Sequence, residues 1–212
     1  MEIEKIAMPR KRRLVAALII FLATSLAAVI LNSFMMGYGL EVERSISRYV
    51  GFEIWSSVIF AFGNFFAAGA TGAFLWCLGE LWELPRVYYY CVIVMVLGLI
   101  GLSLCPIGLF DMGGEKSIVS LIHELASRTM FIMMMVVAGL LALRPYGTRG
   151  SRVVCWVYVV YGLFCAVGYL TKGSWFIPYC LFFETFYIAA FVLVLLVQKD
   201  KRVSSNKTKF SE

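Results

Sequence analysis

Apolar residues run through this chain in long blocks separated by short polar intervals, and the blocks have the length of a bilayer crossing. A helix needs about 20 residues to cover about 30 Å of hydrocarbon. Blocks of this kind lie at 14–36, 54–79, 87–105, 118–143, 153–171 and 177–198. Prolines mark the breaks: Pro85 lies in a short loop, Pro106 follows the third block, and Arg144-Pro145-Tyr146-Gly147 follows the fourth. Pro178 suits the first turn of the sixth helix, where its missing N–H costs nothing. The pattern predicts an all-α polytopic membrane protein. Six transmembrane helices form one bundle over 14–198, between basic tails at 1–13 and 199–212. The first block follows Pro9-Arg10-Lys11-Arg12-Arg13 like a signal peptide, but it is too long for a typical signal-peptide core and lacks a convincing cleavage site, so an uncleaved anchor is expected.

Composition agrees. The chain is 61% hydrophobic and 15% charged, with a mean hydropathy of +0.85. A water-soluble fold of 212 residues has too little interior to hide that much apolar surface. The net charge of +6 is mostly a topology signal. One side of the six spans holds the basic residues of both tails together with Arg86, Arg144, Arg149 and Arg152; the other holds Arg44, Arg48, Lys116 and Lys172. The positive-inside rule then puts both termini in the cytoplasm of a plasma (inner) membrane. Basic residues dispersed among loops and tails argue against a nucleic-acid partner, and suit weak attraction to anionic membrane lipids.

Within the spans, the second block carries two small-xxx-small pairs, Ala68 with Gly72 and Gly69 with Ala73, which predict close helix packing. Asn64, roughly 15 Å into that helix, needs a hydrogen-bonding partner. Trp82, Tyr88, Tyr89 and Tyr90 read as an aromatic belt at the cytoplasmic interface. The first outer loop, with Glu41, Glu43, Arg44, Arg48 and Glu53, reads equally as an interfacial helix or as a solvated, charge-paired loop. The six cysteines lie in or beside apolar blocks without a C-x-x-C spacing, and a Cys105–Cys180 disulfide has only their shared side of the membrane to suggest it. A single histidine excludes bis-His haem and multi-histidine metal sites within one chain, and no cofactor is expected.

The densest polar run leads from the outer loop holding Asp111 into the fourth block. Ser117, Ser120, His123, Glu124, Ser127 and Arg128 share an arc of about 140° on the helix, and the helix beyond is almost wholly apolar. Glu124 and Arg128 form an i,i+4 pair in the favourable order. Charges inside a bilayer usually face the bundle interior or a water-filled cavity. Glu184 in the sixth block lies at similar depth and is expected to pair with Arg128 or His123. Asn64, Asp111, His123, Glu124, Ser127, Arg128 and Glu184 are therefore the candidate ligand-binding residues of an outward-facing polar pocket.

The residues also carry a resemblance. Ile46-Ser47 leads to Trp55 and then to Phe62-Gly63-Asn64; Gly98, Gly101, Pro106 and Gly108 follow, and then a His123-led helix with Ala126 and Phe131. Together these resemble the bacterial six-helix membrane family called domain of unknown function 998, distantly similar to the FRAG/DRAM/SFK group. The resemblance implies fold and location, and brings no activity with it. Three function classes follow from the residues. The first is a pocket binding a lipid headgroup or small polar ligand, transport-like in character. The second is a structural or accessory subunit with a membrane-protein partner. The third is a lipid-modifying enzyme using His123 as a base, which lacks the geometry of a triad because Ser127 and His123 share one helix.

Overall fold

The computed structural model describes residues 54–105, 118–144, 147–173 and 175–198. The expected first span at 14–36, the first outer loop, both tails, Pro106 and Asp111 lie outside the described residues. Those described fold into helices α1 (Ile54–Leu81), α2 (Arg86–Leu104), α3 (Ile118–Leu143), α4 (Arg149–Leu170) and α5 (Cys180–Leu196). A 3-10 turn, Ile177–Tyr179, precedes α5 and contains Pro178. The proline thus sits before the sixth span's α-helix and not in its first turn.

Helices α1 to α4 are each long and apolar enough to cross a bilayer, and α5 adds a shorter apolar stretch, Phe182–Leu196. Their outward faces are apolar as well: Phe62, Phe66, Leu97, Val160 and Leu170 are all exposed on the protein surface. Water would penalise each such side chain by about 1.5–3 kcal/mol relative to burial, whereas lipid does not. This is a membrane protein.

Each helix packs mainly on the next in sequence, and α5 also touches α3. Glycines set the spacing. A Cβ added at Gly72 would lie 2.9 Å from the Val96 side chain, and one at Gly101 would lie 2.9 Å from Ala126 Cβ. At Gly98 it would meet the backbone of α3, 3.0 Å from the Ala126 carbonyl oxygen. The Ala68–Gly72 pair is therefore an interface, as expected. Gly69 is not: a Cβ there meets nothing within 4 Å, because the two pairs point to different sides of α1. Between these contacts lies a core that includes Leu75, Tyr88, Met95, Val137, Leu141, Tyr158 and Phe191. Two of its tyrosines are tied to backbone. Tyr88 donates to the Leu75 carbonyl at 3.0 Å, and Tyr187 donates to the Phe131 carbonyl at 2.8 Å.

Two reversals share one capping device. After α1, Leu84 N–H donates to Gly79 O and Glu83 N–H to Glu80 O, with Glu83 left-handed at φ 52°. After α4, Gly173 N–H donates to Gly168 O and Lys172 N–H to Tyr169 O, with Lys172 at φ 48°. Both are Schellman caps built without glycine at the left-handed position.

At the end of the bundle where α1 meets α2, Trp82 and Tyr88 are buried, Tyr89 is half-buried and Tyr90 is exposed. The belt expected from the sequence is thus partly an internal contact. Arg144, only 3% exposed, stands over Trp82 with its guanidinium carbon 3.4 Å from the ring centroid. It donates to Ser151 Oγ at 3.4 Å, while Arg152 donates to the Arg144 carbonyl at 2.7 Å. One guanidinium thereby ties α1, α3 and α4 together. Helix α4 starts four residues before the expected 153, because Thr148 caps it by accepting from Ser151 N–H at 3.3 Å.

Candidate functional site

The opposite end of the bundle holds the candidate residues. The close approaches along each helix pair fix their levels. Gly79 meets Tyr88 and Tyr89, and Gly72 meets Val96, so each step back along α1 is matched by a step forward along α2. Continuing that register brings Asn64 level with Leu104. On the other side of α2, Gly98 meets Ala126 and Met130, and Gly101 meets Ala126, which brings the end of α2 level with His123. Asn64 and His123 therefore lie at one height, flanking the last turn of α2.

Both are buried, Asn64 to 1% exposure and His123 to 2%. His123 is held by Cys105, the residue that closes α2: its Nδ1 is hydrogen-bonded to the Cys105 carbonyl oxygen. A carbonyl only accepts, so Nδ1 carries the proton in this bond. The other ring nitrogen, Nε2, is buried without a partner among the described residues, and so are both Oδ1 and Nδ2 of Asn64. Each such atom costs roughly 1–3 kcal/mol when it is left unsatisfied in an apolar surrounding. A buried unsatisfied group calls for an explanation; the opposite end has Trp82 Nε1, Arg144 Nε and Nη1 and Arg152 Nε in the same condition.

The remaining candidates separate around α3. Ser120 is buried on the same side as His123. Arg128, further round, is 56% exposed and donates to Glu124 Oε2 at 3.2 Å. It also reaches Tyr169 Oη at 3.5 Å, with its guanidinium carbon 5.6 Å from that ring's centroid. Tyr169 is one residue from the end of α4. The Arg128 charge therefore lies at the rim of the α3–α4 pair, although it is ten residues into α3. Glu184 is half-buried and accepts from Cys180 Sγ at 3.7 Å, one turn earlier in α5. Arg128 thus bonds to Glu124 and Tyr169; Glu184 was expected to pair with Arg128 or His123. Ser127 is half-buried between the two polar sides of α3.

The histidine is oriented by a backbone carbonyl, and its Nε2 activates no hydroxyl among the described residues. Nor do three His, Cys, Asp or Glu side chains among the described residues come together to hold a metal ion. None of the six cysteines is in a disulfide, Cys105 and Cys180 included. Compared with known family models, curated proteins and solved structures, the chain finds no match.

The contact that sequence reasoning missed is Arg144 over Trp82. Arg144 reads as a loop cation and Trp82 as an interfacial ring, yet the expected topology already put both on one side of the membrane. A cation and an indole brought to one bundle end were the available signal.

Proposed function

We propose that this chain is a six-helix plasma-membrane protein with both termini in the cytoplasm, and that its outward end binds a small polar ligand or lipid headgroup. The observation that carries the reading is the burial of His123 and Asn64 toward this end, with His123 Nε2 and both Asn64 amide atoms meeting no hydrogen-bonding partner among the described residues. A ligand that reaches them supplies the missing bonds. The Arg128–Glu124 pair beside Tyr169 gives this end a charged rim, with Ser127 between rim and histidine. The orientation is supported by Arg86, Arg144, Arg149 and Arg152, which gather at the end away from His123, as the positive-inside rule requires of a cytoplasmic face. The family resemblance is consistent with six spans.

The test uses full-length protein extracted from its own membrane in mild detergent. Native mass spectrometry of the wild type should show a retained molecule that Asn64→Leu loses. In the ligand-free protein the same substitution should raise thermal stability, by about 1–3 kcal/mol, because it removes two unsatisfied buried atoms at similar volume. Wild-type protein that carries nothing beyond the bulk lipid composition would overturn the reading.

A further inference from the structure

Helix α1 is buried on more of its circumference than α2 covers. We infer that the first apolar block, 14–36, stays with the mature protein and packs antiparallel on the face of α1 formed by Gly63, Ala67 and Thr71. This rests on the six-span reading above and gives the first span its neighbour.

Two faces of α1 differ in azimuth. The face that meets α2 is marked by Gly72, where an added Cβ would lie 2.9 Å from Val96, and by Gly79, where it would lie 2.9 Å from Tyr88 and Tyr89. At 100° per residue, Thr71 stands about 80–100° round the helix from those glycines, Ala67 about 120–140° and Gly63 about 160–180°. A contact stripe about 100° wide centred on Gly72 and Gly79 stops short of all three. Yet all three are buried, Ala67 and Thr71 to 2% exposure each. Among the described helices, α2 alone packs extensively on α1. These exposures are those of one chain by itself, so the cover belongs to the same chain. A third face is open: Phe62 and Phe66 are exposed, and a Cβ at Gly69 meets nothing within 4 Å.

Of the segments outside the described residues, 14–36 alone is an apolar run of bilayer length. The outer loop 106–117 carries Asp111, Glu115 and Lys116. Gly63 and Thr71 are about 12 Å apart along the axis, so a loop that reached the first would have to carry irregular backbone into the bilayer to cover the second. Residues 37–53 join the block to the outer end of α1, a link that spans the 8–10 Å between packed helices with length to spare. The block then runs opposite to α1. Measured from the outer ends, its Ala23 and Ala27 fall roughly level with Ala67 and Gly63, so small residues face small residues and the backbones can approach closely. On the wheel Asn64 lies between the two buried faces, which makes the block a wall beside the candidate site.

The block has no cysteine, whereas the native cysteines all lie from Cys77 onward, so a link between the two parts of the chain can be read selectively. A site-specific protease sequence is placed in the loop 37–53 of the full-length protein. Thr71→Cys is then combined in turn with a cysteine at each position from 16 to 23. Membranes are oxidised with copper phenanthroline, cut with the protease and run on a non-reducing gel. Each block cysteine without Thr71→Cys sets the baseline, and thermal unfolding checks that each variant keeps its fold. Linkage of the two fragments should rise several-fold above baseline at positions three or four apart on one stripe. Gly69→Cys in place of Thr71→Cys should leave the same scan at baseline. The intact mass of wild-type protein purified from membranes should include 14–36. Linkage through Gly69→Cys and not Thr71→Cys overturns the assigned face while leaving six spans in place. A product of two C-terminal fragments joined through Thr71→Cys puts a second copy on this face and overturns the inference, as does a scan that stays at baseline throughout. An intact mass that lacks 14–36 overturns the inference and the six-span reading together.

Discussion

The α2–α3 contact offers the sharpest test of the packing that positions the site. In Gly101→Ala, the new methyl carbon would stand 2.9 Å from Ala126 Cβ. Carbon atoms pack best at about 3.5–4.0 Å, so the helices must separate by roughly 0.6 Å or more. Neither carbon can rotate away, since both are bonded directly to helix backbone. Overpacking of this kind costs about 1–3 kcal/mol. Against it stands the gain of up to about 1 kcal/mol from placing alanine where glycine was in a helix. The internal control is Gly69→Ala, whose methyl would meet nothing within 4 Å. It keeps the helix gain and has no clash, so the two variants should differ by about 1–3 kcal/mol, with Gly101→Ala the less stable. Thermal or denaturant unfolding in one detergent, both variants side by side, measures the difference. Gly101 lies one turn before Cys105, so separation should also loosen the bond to His123 and disturb the Nδ1 resonance. Equal stability of the two variants would refute the register on which the level of Asn64 and His123 depends.

Three further outcomes follow from other contacts. Arg144→Lys replaces a planar guanidinium over Trp82 with a compact ammonium and should lower stability by about 1–2 kcal/mol, read as a fall in Tm. Glu83→Gly relieves a left-handed residue at φ 52° in the first Schellman cap and should raise Tm, with a gain of about 1 kcal/mol; a fall would mean that the cap is not formed. Tyr88→Phe removes the hydroxyl that donates to the Leu75 carbonyl at 3.0 Å and should cost about 0.5–1.5 kcal/mol in denaturant unfolding, with no loss of ligand.

Much of the helical layout was legible in the sequence because lipid imposes a length on apolar runs. The block at 118–143 coincides with α3, and α1 and α2 differ from their blocks by a residue or two. Helix α4 starts earlier than its block because Arg149, Gly150, Ser151 and Arg152 are helical yet polar, and only the Thr148 cap signals them. The polarity and depth of Asn64 and His123 were also visible. What the sequence does not contain is azimuth relative to neighbours. The positions that pair Arg128 with Tyr169, and leave Gly69 uncovered while Gly72 is clasped, depend on where other helices stand. A helical wheel orders residues around one axis and cannot say which arc meets which partner.

The serial packing of the helices has a consequence for biogenesis. Because α2 rests on α1, α3 on α2, and α4 on α3, most described contacts join neighbours along the chain. Topologies rich in local contacts close small loops and fold quickly. Each new helix leaving the ribosome meets a partner already in the bilayer, and assembly can keep pace with synthesis. The exceptions are the reach of α5 back to α3, which waits for the last described helix, and the Arg144 contact with Trp82, which joins the end of α3 to the end of α1.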